Sequence, residues 1–212
     1  MLRKLKQYEQ ALEDGNRAIE VAPDFAEAIQ EKSVILGEMG DKEGAEKELL
    51  LASSMLYERA KIFIGTNNFS EALESVKESL ELNSKYIDPM LARAFIYSRT
   101  GKLPLAYQQL DQATIVDPSK NDIYLMYFNL LMGEKRNEEA IAKLTEGINN
   151  NPKVIEFYKL RAEQFANHNK LSEALSDCNH ALAHEPTCSL TLLLKADMLQ
   201  KLTKFAEALE TI

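Results

Sequence analysis

An alanine that returns every 34 residues restricts this chain more than any other feature. It sits inside near-repeated phrases: FSEALESV at 69–76, LSEALSDC at 171–178 and FAEALETI at 205–212. Taken as a marker it gives Ala11, Ala45, Ala72, Ala106, Ala140, Ala174 and Ala208; five of the six intervals are 34 residues and one is 27. A fixed period of this length marks an array of supersecondary units, each too small to bury its apolar face alone.

Other columns keep the same phase. Small residues lie seven after the marker (Ala18, Ala52, Ser79, Ala113, Gly147, Ala181) and, with Phe128 the exception, twelve before it (Ser33, Ala60, Ala94, Ala162, Ala196). Large apolar residues lie nine before it (Leu36, Phe63, Tyr97, Leu131, Phe165, Leu199) and sixteen before it (Ile29, Leu56, Met90, Tyr124, Tyr158, Leu192). Offsets of −16, −12 and −9 make one helical face, and 0, +4, +7 and +8 make another. Small residues facing large ones let two such helices approach closely. Gly40, Asn67, Gly101 and Asn169 fall between the two faces and accept the left-handed geometry of a tight turn. Pro23, Pro118, Pro152 and Pro186 lie twelve after the marker and end the second helix, whereas Pro89 and Pro104 fall at helix starts, where proline is tolerated.

This pattern resembles the tetratricopeptide repeat (TPR), a 34-residue helix–turn–helix unit with small, large and proline positions at these places. The tryptophan common in the family's first helix is absent; Ile29, Met90, Tyr124, Tyr158 and Leu192 stand instead. The resemblance implies an all-α fold, a right-handed superhelical solenoid of antiparallel helix pairs, as one array over 1–212. The expected units are 1–25 (partial), 26–52 (shortened), 53–86, 87–120, 121–154, 155–188 and 189–212 (partial). Met1 is expected to enter late in a first helix. Phe205, Leu209 and Ile212 would lie on an uncapped end, as in a piece of a longer array. Between Ala45 and Ala72 seven residues are missing. One long helix, a break near Ser53-Ser54 or an absent segment would each account for this; a break is favoured, because the next unit keeps its own register from Leu56.

The chemistry is sparse. There is no GxxxxGK[ST], GxSxG, HExxH or CxxC motif, so neither catalysis nor a cofactor is expected. Cys178, His180, His184 and Cys188 lie within eleven residues, but Cys178 occupies a packing position and Pro186 separates Cys188 from the helix. A buried cysteine, two exposed histidines and a loop cysteine are expected there, not a metal site. Two cysteines and no apolar N-terminal segment suit a reducing, intracellular compartment, taken as cytoplasmic. A net charge of −8 without a basic run disfavours nucleic acid and anionic membranes, leaving other proteins as the partners.

In the TPR family the inner face, made by first helices, often holds a peptide or a helix. Carried over by phase, the resemblance implies as candidates Tyr57, Lys61 and Ile64; Leu91, Phe95, Ser98 and Arg99; Leu125, Asn129 and Met132; Lys159, Glu163 and Asn167; Leu193, Asp197 and Gln200. Leu91, Phe95, Leu125 and Met132 form an apolar stripe suited to an apolar partner, or else pack against neighbouring helices. The clamp for acidic chaperone tails is not matched: Leu125 stands where lysine is needed beside Asn129, and Glu163 where asparagine is needed beside Lys159. The expected function is a protein–protein interaction scaffold or adaptor in a larger assembly, an elongated architecture suiting cytoskeletal, ciliary or transport complexes. The alternative is the recognition module of an enzyme whose catalytic domain lies elsewhere.

Overall fold

The computed structural model describes residues 2–22 and 25–202, with side chains from residue 7. Among them the regular structure is entirely α-helical, in two compact units, Met1–Val116 and Asp117–Ile212. The first holds α1 (Leu2–Val21), α2 (Ala26–Met39), α3 (Lys42–Gly65), α4 (Phe69–Leu82), α5 (Ile87–Arg99) and α6 (Leu103–Val116). The second holds α7 (Asn121–Gly133), α8 (Asn137–Asn150), α9 (Ile155–Asn167), α10 (Leu171–His184) and α11 (Ser189–Lys201). Helices consecutive within a unit pack on one another as hairpins.

The phase columns become the core. Ala72, Ala106, Ala140 and Ala174 are fully buried, as are Val76, Leu110, Leu144 and Cys178 four residues on. Ile29, Leu56, Met90, Tyr124 and Tyr158, sixteen before a marker, are buried as well. The turns lie in one register. Gly40, Asn67, Gly101, Lys135 and Asn169, each five before a marker, all have positive φ, between 58° and 91°. Lys135 takes this strained conformation without a residue type to suggest it; the repeat places it there. Helices α6, α8 and α10 end two residues before Pro118, Pro152 and Pro186, while Pro23 lies outside the described residues.

Three expectations need correction or restriction. The break near Ser53-Ser54 does not occur: α3 is one helix of 24 residues. No Gly or Pro lies in 45–64 to interrupt it, and removing seven residues turns the apolar face by only about 20°. The first half of α3 therefore pairs with α2, through Ser33 Oγ donating to the Ala45 carbonyl (2.8 Å) and Lys32 on Glu48 (2.8 Å). Its second half pairs with α4, where Ser53 Oγ donates to the Ser79 carbonyl (2.9 Å) and Ser79 Oγ to that of Ser53 (2.7 Å). Likewise α1 runs unbroken through the place where the phase put a first-helix remnant and its turn, so no such turn occurs between Leu2 and Val21. The expected apolar end of Phe205, Leu209 and Ile212 lies outside the described residues.

Candidate functional site

A polar column that the sequence reading overlooked ties each hairpin together. It links the residue thirteen before the marker, on the first helix, to the residue three after it, on the second. Its members are Lys32 with Glu48, Arg59 with Ser75 (3.1 Å), Arg93 with Gln109 (2.7 Å) and Arg161 with Asp177 (2.8 Å). In the remaining hairpin the order inverts, with Lys143 Nζ 4.3 Å from the Tyr127 ring centroid. Arg161 and Arg59 reach beyond one hairpin, Arg59 also meeting Glu27 on α2 (3.7 Å). Arg161 is the more buried of the two. It grips both oxygens of the buried Asp177 and also donates to Thr145 Oγ1 (3.0 Å) on α8, joining two hairpins. The signal was present as a basic residue in the 34-residue phase, hidden by the variety of its partners.

The cysteine–histidine cluster does not gather. Cys178 is fully buried, and burial pushes its thiol up to about 11. His184 is exposed, but His180 is only half so, contrary to expectation: its ring stacks on Tyr158 at 3.8 Å, and its Nδ1 is buried without a partner among the described residues. Cys188 lies at the N-cap of α11, where it accepts from Thr191 Oγ1 (3.2 Å). That bond, with the Thr191 N–H and nearby Lys159, holds its thiol below the ordinary value. No group of three potential metal ligands exists among the described residues.

The inner-face candidates divide between the units. In the first, Tyr57 packs edge-on against Tyr86 (5.5 Å), and Lys61 pairs with Glu58 (2.6 Å) over the Tyr57 ring. Leu91 is buried, so it takes the packing alternative. Phe95 beside it stays 38% exposed; Ser98 donates to the Phe95 carbonyl, Arg99 is exposed and Ile64 is half-buried. In the second unit Leu125 and Met132 are half-buried and Asn129 exposed.

The structure brings four candidates together on α9 and α11. Lys159, Glu163, Leu193 and Asp197 line an open pocket of about 750 Å³, with Leu160, Leu190 and Leu194 supplying further apolar wall. Leu190 and Leu193 are 81% and 64% exposed. Lys159 is engaged by Glu185, and Asp197 by Lys201 (2.8 Å). Asn167 and Gln200 lie exposed further along the same helices. The pocket has an apolar floor with a charged margin.

Comparison with known proteins agrees with this architecture. Residues 53–86 match the tetratricopeptide repeat family model. ETO1-like protein 2 of Arabidopsis thaliana is 31% identical over 119 residues, which cover 55% of this chain and 13% of that protein, so the chain spans about an eighth of its relative. PilF of Pseudomonas aeruginosa superposes with a TM-score of 0.61 at 18% identity, over 78% of this chain and 74% of PilF. YrrB, a TPR protein with an unusual peptide-binding site, superposes with a TM-score of 0.55 at 16% identity, over 85% of this chain and 97% of its own. The matched stretch is itself one 34-residue tetratricopeptide repeat, its period recurs in phase on both sides, and the chain shares the fold of these tetratricopeptide-repeat proteins.

Proposed function

We propose that this chain is an interaction scaffold and that the first-helix face of Asp117–Ile212 holds a segment of a partner protein. TPR proteins bind other proteins or peptides and are typically non-catalytic. The observation that carries the reading is the pair Leu190 and Leu193, large apolar side chains left 81% and 64% exposed beside an open pocket. Such side chains cost solubility unless something covers them. YrrB, which shares the fold, has a peptide-binding site.

The test places a photo-crosslinking amino acid at Leu193 in the full chain, with a control at Ser176, exposed on the second helix α10. Irradiation in cells is expected to trap a discrete partner from Leu193 and not from Ser176. Equal yields from both, or none from Leu193, would place binding elsewhere.

A further inference from the structure

The pocket on α9 and α11 carries more information than its apolar wall. Three carboxylates, Glu156, Glu163 and Asp197, line it against one ammonium, Lys159. That ammonium is already committed to Glu185, outside the lining. Asp197 has its own helical neighbour Lys201. Glu156 and Glu163 are exposed, and among the described residues neither makes an ion pair. The pocket therefore presents leucine side chains flanked by two uncompensated negative charges.

Resting on the reading above, we infer that this pocket takes a basic amphipathic segment: an aliphatic side chain seated against Leu160, Leu190, Leu193 and Leu194, with Lys or Arg on either side meeting Glu156 and Glu163. An acidic segment would bring like charges together at the rim and be rejected. The spacing restricts the ligand further. Glu156 and Glu163 are seven residues apart on one helix, about 10 Å along its axis at ~1.5 Å per residue. An extended peptide covers that distance in about three residues. Alternate side chains share a face, so the expected pattern is a cation, an aliphatic residue two on and a cation four on, all three facing the pocket, with the long cationic side chains taking up the small difference in span.

The experiment selects a phage-displayed library of random twelve-residue peptides against the full chain. It then measures the enriched sequences, as synthetic fluorescent peptides, by polarisation. Three proteins are compared: the wild type, Glu156→Gln/Glu163→Gln, and Leu190→Ala/Leu193→Ala. All four positions are solvent-facing, so the fold should survive. The expected result is enrichment of Lys or Arg about four apart around a central Leu or Met. Affinity should be about 2- to 30-fold weaker in the Gln variant, the range for two exposed ion pairs, and largely lost in the Ala variant. Neutral or acidic sequences that still depend on Leu190 and Leu193 would overturn the basic class while leaving the groove standing. Sequences indifferent to both leucines, or no enrichment at all, would overturn the inference together with the reading it rests on.

Discussion

Gly147 tests the packing argument most directly. It lies in the last turn of α8, three residues before Asn150, and replacing a helical glycine by alanine ordinarily stabilises a helix by up to about 1 kcal/mol. The same column holds alanine at Ala52, Ala113 and Ala181. Here, however, a Cβ would meet Phe157 Cε2 at 2.9 Å and Tyr124 Cγ at 3.0 Å. Neither ring has room to retreat. Phe157 is fully buried and Tyr124 1% exposed, the two stack edge-to-face at 6.0 Å, and the Tyr124 hydroxyl donates to the Pro118 carbonyl (2.8 Å) and accepts from Asn150 (2.7 Å). Phe157 stands in a column otherwise filled by Ala28, Met55, Pro89, Ile123 and Thr191, so the missing Cβ and the extra ring are two halves of one exchange. Overpacking costs about 1–3 kcal/mol. Set against the helix gain of about 1 kcal/mol, Gly147→Ala should be neutral to ~2 kcal/mol destabilising. Urea unfolding followed by circular dichroism measures this through the midpoint shift. The decisive number is the coupling with Phe157→Leu. In that background the cost of Gly147→Ala should fall by about 0.5 kcal/mol or more. If Gly147→Ala stabilises the wild type by about 1 kcal/mol, or if the two changes simply add, the reasoning is refuted.

Four further outcomes follow from the polar contacts and the two thiols. Ser53→Ala and Ser79→Ala should each cost about 1 kcal/mol, and the double variant less than the sum, because each hydroxyl bonds the other's helix; the same urea titration reads it. Asp177→Ala strands the half-buried Arg161 and should cost about 3 kcal/mol, partly recovered by Arg161→Met in the same chain. The thiols should separate in a labelling assay with an aromatic disulfide near neutral pH. Cys188, whose thiolate is favoured by Thr191 and Lys159, should react at once, and Cys178 only on unfolding. Because the Cys178 thiol rises from 9.0 to about 11 in the fold, its contribution to stability is complete below pH 9 and drains away as pH climbs towards 11. Cys178→Ala should flatten that part of the stability profile.

The fold was legible because packing in hairpins depends on side-chain size at fixed phase, and size is written in the residue type. Ala72, Val76, Leu56 and Tyr158 lie where their columns put them. The α3 junction was not legible, since a whole-turn deletion leaves the apolar face nearly in place whether the helix breaks or continues. The candidates carried over to the first helices share a phase but not an exposure. Leu91 and Leu193 share one phase, yet the first is 7% and the second 64% exposed. What covers a first-helix residue comes from its neighbours, which periodicity along one helix cannot reveal. The Arg161–Asp177 contact eluded the sequence for a related reason: the cation keeps its column except at Tyr127, but its acceptor changes from Glu48 to Ser75 to Gln109 to Asp177.

The continuous helix α3 changes what can come apart. Elsewhere in each unit, successive hairpins meet through a turn of a few residues, and one hairpin can open while its neighbour stays closed. Between α2 and α4 the joint is itself a hydrogen-bonded rod about 36 Å long at ~1.5 Å per residue. Unzipping one hairpin there exposes half of a helix whose other half is still clamped, so the two must be lost together. Residues 26–82 are thereby bound into a single cooperative block. In native-state hydrogen exchange, the amides at the middle of α3, from Ala52 to Leu56, should be the slowest in Met1–Val116, and they should open in step with those of both α2 and α4.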